Sequence, residues 1–443
     1  MPIKSLSDLP IDVQHEICKN LCVHCSYPEL LEYDRPLGTS NRLSREKALE
    51  HCKALSNLSK TSRHFHSIAH QYLPHYFHAD TTHSSFVSFA RALDTRPSFL
   101  LDMRELSVDQ TLGDIQERLM DSVSYRFRDS AVPFPRPTLE WIAEIIRDKR
   151  HSETIDTLLT WLPKIQKLTL NVYEETDYGY SMMRRCMPTV KHLVLRSHDI
   201  NWHGFSLDMV WQLLARVPLL ERLDLHRCGK IPHSVPPFVH LRSLNITMAE
   251  LSQRMLLNVA AWCPRLTSFK YLYYQSDYGS HREHAPLSPR QLVMQLWPCY
   301  RSLQYLEIEV GSWWRRNMLL QGDKITKRDL APFRALKSLA IEEVCLDPTG
   351  TDATGLSEFL DELVPESTTS ITISNMNPFL YRETSQVLEA DDPFHPAYVY
   401  MVQGRRESKE GPWGLVLDKT AGGPASWLSQ GQEMGLRRDL STL

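Results

Sequence analysis

No stretch of this 443-residue chain is a continuous apolar run of transmembrane length, and Met1 to Asp8 lack the apolar core of a secretory signal. The expected location is therefore the cytoplasm, the nucleus or both, with no membrane partner. Cysteine is sparse, nine residues at irregular spacing, which excludes a disulfide framework and leaves most thiols as small buried hydrophobes. A large excess of charge of one sign is lacking too. A formal net charge of -3 gives no overall pull toward nucleic acid or anionic lipid, so no nucleic-acid partner is expected. Catalytic signatures are also missing: there is no Gly-x-Ser-x-Gly elbow, phosphate-cradling Gly-x-x-x-x-Gly-Lys-Ser/Thr loop, His-Glu-x-x-His pair or dinucleotide glycine fingerprint. The chain is read as non-enzymatic, without catalytic residues or a cofactor.

What the sequence does contain is repetition. An apolar residue, two others, an apolar residue, one other and a final apolar residue recur as Met103-Leu106-Val108, Ile165-Leu168-Leu170, Val190-Leu193-Leu195, Leu220-Leu223-Leu225, Leu241-Leu244-Ile246, Leu303-Leu306-Ile308 and Leu336-Leu339-Ile341. Leu266-Phe269-Tyr271 and Thr368-Ile371-Ile373 are weaker copies. From Leu168 onward the middle positions follow one another every 21 to 37 residues, enough for a strand and a helix per unit. The longer step from Leu106 to Leu168 leaves room for one more unit whose strand is not identified. Helical spacing is expected over Asp208 to Val217, Arg254 to Trp262, Gln291 to Trp297 and Leu356 to Val364.

This pattern is the signature of leucine-rich repeats, in which each unit buries its apolar face against its neighbours. Cys228 occupies the motif's Asn/Cys position, whereas Tyr173, His198 and Met248 are read there in other units, so the repeats are degenerate. The expected class is α/β: a small helical N-terminal domain followed by a strand-plus-helix solenoid. Polar residues between and after the last two apolar positions, among them Asp224, His226, Asn245, Lys270, Glu307 and Glu342, are expected to line the concave face. With Tyr273, Tyr274, Trp313, Trp314 and Arg315 from long loops rich in interface-prone residue types, Asp224, His226, Lys270 and Glu307 form the expected target-binding set. Past residue 390 the chain becomes glycine-rich, with 7 of its 17 glycines in the last 53 residues, and a loosely packed or disordered tail over 391–443 is expected. Trp413 and Trp427 are candidates to cap the last repeat.

Near the start, Asp8 and Pro10 mark a helix N-terminus, with Pro10 at the first helical position, and Leu9, Val13, Ile17 and Leu21 fall on one side. A second ladder runs through Leu55, Leu58, Ser62 and Phe65, then Ile68, Tyr72 and Tyr76. Between the two comes an insertion of about 23–53, and in and beside it lies the metal-like cluster Cys18, Cys22, His24, Cys25, His51 and Cys52, of which Cys22, Cys25, His51 and Cys52 are the expected ligands. These are zinc-type donors for a structural Zn²⁺, although a second closely spaced ligand pair is missing. His64, His66, His70, His75 and His78 read as polar flanks of the helices.

The order Leu9-Pro10, helix, then Leu58-Ser59-Lys60-Thr61-Ser62-Arg63-His64-Phe65-His66 resembles the F-box, here split by the insertion and with Phe65 about where that family has Trp. The resemblance implies an F-box-like domain over 1–80, repeats over 81–390 and a substrate-receptor role in a Skp–cullin–F-box ubiquitin ligase. By the same resemblance, Leu9, Pro10, Val13, Ile17, Leu55 and Leu58 would contact the Skp-family adaptor, while the repeats bind an unidentified target protein. The alternative reading is a repeat scaffold outside any ligase, capped by the same helices.

Overall fold

The computed structural model describes residues 6–26, 45–79, 102–108, 162–172, 186–197, 204–231, 237–249, 262–273, 288–310, 324–346, 367–376, 399–402 and 413–418, with Leu251, Leu256 and Pro365. The chain is mixed α/β and divides into two compact units, residues 1–227 and 228–443.

The first unit opens with helices. A 3-10 turn at Leu6–Asp8 leads into α1 (Ile11–Leu21) and α2 (Val23–Ser26), followed by α3 (Arg45–Thr61) and α4 (Arg63–Ala69). Pro10 is the residue before α1 rather than its first helical position, and its carbonyl accepts from the Val13 and Gln14 amides at 3.0 and 3.1 Å. The second ladder is broken between α3 and α4 because Ser62 leaves helical geometry and its Oγ accepts the Phe65 amide at 3.1 Å, a side-chain cap that starts a new helix. Cys18, Cys22, Leu55, Phe65, Ile68 and Ala69 form the helical core, with Leu21, Cys25, Leu58, Tyr72 and Leu73 packed against it.

Tyr76 does not continue a helix. It begins a strand, β1 (Tyr76–Ala79), which the sequence reading missed and which pairs in parallel with β2 (Glu105–Val108). Strand β2 in turn pairs directly with β3 (Lys167–Asn171), so among the described residues no strand stands between them in the sheet, where the long step had left room for one. Strands β4 (His192–Arg196) and β6 (Arg222–His226) extend the parallel ladder, and β5 (Phe205–Ser206) lies between them in sequence. Register aligns Leu168 with Leu193 and Leu223, and Leu170 with Leu195 and Leu225, so the last two repeat positions become two buried rows. The expected helix over 208–217 is a 3-10 turn at Leu207–Val210 followed by an α-helix at Trp211–Ala215, opened by Ser206 accepting the Asp208 amide.

The second unit contains β7 (Cys228–Lys230) and a parallel ladder of β8 (Ser243–Ala249), β9 (Ser268–Tyr273), β10 (Tyr305–Glu309), β11 (Ser338–Glu342) and β12 (Ser370–Met376). Leu244, Phe269, Leu306, Leu339 and Ile371 form one buried row, and Ile246, Tyr271, Ile308, Ile341 and Ile373 the next. A register shift between Thr247 and Ala249 coincides with a positive φ of 51° at Met248. Counted from the last apolar position, Ala249 and not Met248 is the equivalent of Cys228, three residues past Ile246 as Cys228 is past Leu225, and it is buried like that cysteine. The helix expected over 291–297 forms at Pro289–Gln295, with Ser288 accepting the Gln291 amide and a 3-10 turn at Trp297–Cys299 following. The expected helices at 254–262 and 356–364 fall almost entirely outside the described residues.

The glycine-rich tail is not loose throughout. Strand β14 (Trp413–Asp418) lies antiparallel to β12, with Trp413 opposite Met376, and β13 (Val399–Val402) pairs with β14. The ladder's last parallel strand is therefore covered by main-chain hydrogen bonding, while Trp427 lies outside the described residues.

Candidate functional site

Three features of this architecture carry chemistry: the outer side of α1, the polar rows of the sheets and a thiol–imidazole cluster beside the helical core.

Helix α1 is amphipathic in an unexpected sense. The side turned into the domain carries Gln14 and Cys18, 2% and 0% exposed, whereas Val13, one residue before Gln14, is 42% exposed. Gln14 fills its buried place by donating Nε2–H bonds to the Leu9 and Ser7 carbonyls at 2.8 and 3.2 Å, and its Oε1 meets the His64 ring from α4. The buried amide is thereby satisfied, and the leading turn is tied to the domain. Of the expected adaptor residues, Pro10 and Val13 are exposed and Leu9, Ile17 and Leu58 half-buried. Leu55 is not available: it is 2% exposed and belongs to the helical core, because α3 turns it toward Cys18 and Phe65. Two residues outside the expected set join the exposed apolar surface, Leu6 at 52% and Ile11 at 49%. Their spacing was readable in the sequence, but periodicity alone does not say which flank of a helix faces its neighbours.

Of the expected target-binding residues, Lys270 and Glu307 pair with each other, and Asp224 is held by neighbours outside the set. In the first unit, Lys167 pairs with Glu105 at 3.0 Å, with both side chains almost wholly buried. Asp224 accepts from His192 Nε2 at 2.7 Å and from Arg222 Nε at 3.0 Å. Burial alone would raise the Asp224 pKa, but the His192 ring and then the Arg222 guanidinium hold its carboxyl well below the usual carboxylate range. In the second unit Lys270, 4% exposed, pairs with Glu307 at 3.0 Å, and Glu307 also meets Tyr305 Oη. Glu342, expected at the surface, is fully buried and accepts the Val310 amide at 2.8 Å. Parallel strands sit about 4.8 Å apart, so polar side chains in one row cover each other and pair across strands. His226 and Tyr273 are half-buried at strand ends. Tyr274, Trp313, Trp314 and Arg315 lie outside the described residues.

Of the expected metal ligands, Cys22 and Cys25 come together, but their companions are His24 and His75 rather than His51 and Cys52. The four donor atoms lie within 4.8 Å of one another. Cys25 Sγ is 3.3 Å from His75 Nδ1 and 3.7 Å from His24 Nδ1, and Cys22 Sγ is 3.8 Å from His75 Nδ1. Local backbone geometry presents both sulfurs: the Cys22 carbonyl accepts the Cys25 and Ser26 amides at 3.1 and 2.9 Å, forming the single turn of α2. His75 arrives from the 3-10 turn Leu73–His75, which follows α4. Hydrogen bonding from Cys22 draws the Cys25 thiol well below its ordinary range, and the two imidazoles add to this against the effect of burial. The same bond, with burial, raises the Cys22 pKa. Cys52 is elsewhere, its thiol pushed up to about 11 by burial. His75 had read as a polar flank because nothing in the linear sequence places it opposite a residue 53 positions away.

No protein-family model matches the sequence, and no curated protein matches it either. Among the described residues no helix is long and apolar enough to cross a membrane.

Proposed function

We propose that the chain is the substrate-recognition subunit of a Skp–cullin–F-box ubiquitin ligase, non-catalytic itself and working in the cytoplasm, the nucleus or both. The observation that carries this reading is the outward apolar surface of the first turns. A domain that buries Gln14 while leaving Leu6, Ile11 and Val13 open has an apolar side its own core does not use, and such a surface is stabilised by a partner. It coincides with the Leu9-Pro10-helix segment that resembles the F-box. The body behind it reads as leucine-rich repeats in two units, on the strength of in-register rows at Leu168, Leu193 and Leu223 and at Leu244, Phe269, Leu306, Leu339 and Ile371. A repeat body of this kind would hold the target while the ligase's other subunits supply ubiquitin. The test is co-expression of the full chain with a Skp-family adaptor: co-purification is expected, and its absence with a well-folded chain would remove the ligase reading.

One observation favours a second reading. Strand β1 follows the helices after a single 3-10 turn and pairs with β2, so the helical domain is continuous with the first sheet and suits the role of its N-terminal cap. In that reading the chain is a repeat scaffold without a ubiquitin role.

A further inference from the structure

We propose that Cys22, His24, Cys25 and His75 form a Cys₂His₂ centre that binds one Zn²⁺ and clamps the corner between α1 and α2 onto the turn at Leu73–His75. The site stands independently of any adaptor or target. Its first support is geometric. Zn–S bonds near 2.3 Å and Zn–N bonds near 2.0 Å at tetrahedral angles place each sulfur about 3.6 Å from each nitrogen. Three of the sulfur–nitrogen separations in the cluster are 3.3, 3.7 and 3.8 Å, so one ion fits among these donors with little movement of the side chains.

The donor set is selective as well. Two thiolates and two imidazoles without a carboxylate suit Zn²⁺ and disfavour Mg²⁺ or Ca²⁺, which require oxygen ligands. Two thiolates also cancel the ion's charge, which matters where Cys22 is buried and the other three ligands are half-buried beside the apolar core. As the two metal–sulfur bonds form, the thiol protons of Cys22 and Cys25 pass to solvent, and both imidazoles bind in their neutral form.

The location gives the ion a structural purpose. The helical core consists of six buried side chains, two of them cysteines, and the ligands are separated by 53 residues of chain. A clamp across so long a segment removes disorder from the unfolded chain and adds a term that small cores lack. His51 and Cys52 are not part of the four-atom group.

Metal analysis of the full chain, purified under reducing conditions without chelator, should find one zinc per molecule. Replacing it with Co²⁺ should produce the sulfur-to-cobalt charge-transfer band and intense visible absorption of a tetrahedral thiolate site. Cys25→Ser and His75→Gln should each abolish these bands, whereas Cys52→Ser and His51→Gln should retain them. Should the ligand variants fail to fold, alkylation of the wild-type chain decides: Cys22 and Cys25 should resist the reagent with zinc present and react after chelation. Absence of zinc together with no cobalt–thiolate band, loss of that band in Cys52→Ser, or isolation of a metal-free Cys22–Cys25 disulfide would overturn the assignment.

Discussion

Asp224 shows how individual polar residues are used in this molecule. Read as an exposed contact for a target, it is instead held between His192 and Arg222, and its charge helps to fasten β4 to β6. Replacing it with Asn should cost about 1–3 kcal/mol at neutral pH, since Arg222 and His192 lose a charged acceptor in a largely buried place. The sign of the pH effect follows from its lowered pKa. Its stabilisation is complete above the unfolded carboxylate value of about 4 and is lost as pH falls toward the folded value. Urea unfolding midpoints taken from pH 7 downward should therefore show the wild type and Asp224→Asn differing most near neutrality and converging below about pH 4. A constant gap down to the lowest pH would contradict the assigned role. Gln14 and His75 are the comparable residues that pattern reading overlooked. One is a polar residue on a helix's inward side, the other a ligand brought in by tertiary structure, and neither position follows from local spacing.

Among the elements, the repeat strands were the most legible. Each apolar triplet outlines a short strand with its preceding turn, and parallel pairing in register converts equal spacing into continuous buried rows. A second local rule reinforces this arrangement. The first apolar residue of a unit donates its amide to the carbonyl three residues earlier, as in Ile165 to Leu162, Val190 to Met187, Leu220 to Val217 and Leu266 to Cys263. Pro163, Pro188, Pro218 and Pro264 occupy the second position of these four turns, where proline's fixed φ is already suitable. Two consecutive amides then converge on one carbonyl of the preceding unit, as Lys191 and His192 do on Gln166 and Lys337 and Ser338 on Gln304. Elements outside this rhythm were harder to read. Strand β1 is four residues following a helical ladder, and β14 is embedded in glycine-rich sequence, so each depends on a neighbouring strand for its identity. The latter has a testable consequence. Ending the chain after Met376 removes β13 and β14 and leaves the β12 edge unpaired, an invitation to intermolecular pairing. Light scattering should show concentration-dependent association of that truncation, whereas a monodisperse monomer would indicate that the edge strand is dispensable.

At the scale of the whole chain, the question is whether the helical domain docks, caps or does both. Deletion must end before Tyr76, because β1 belongs to the sheet of the first unit. Removing residues 1–75 from a chain whose helices only dock should leave the thermal unfolding of the remainder nearly unchanged. If the helices cap the sheet, the same deletion should lower the midpoint by several degrees or cause aggregation. Circular dichroism melting distinguishes these outcomes without reference to a partner.

The central claim, that the open side of α1 receives a Skp-family adaptor, is tested most directly by calorimetric titration of the purified adaptor into the full chain, wild type and Ile11→Asp/Val13→Asp. Both substituted positions are about half exposed, so the variant should fold normally. Saturable one-to-one binding by the wild type, weakened about a hundredfold or more in the variant, is the predicted result for apolar anchors at a docking surface. No measurable heat of binding with the wild type, or equal affinity for both proteins, would contradict it.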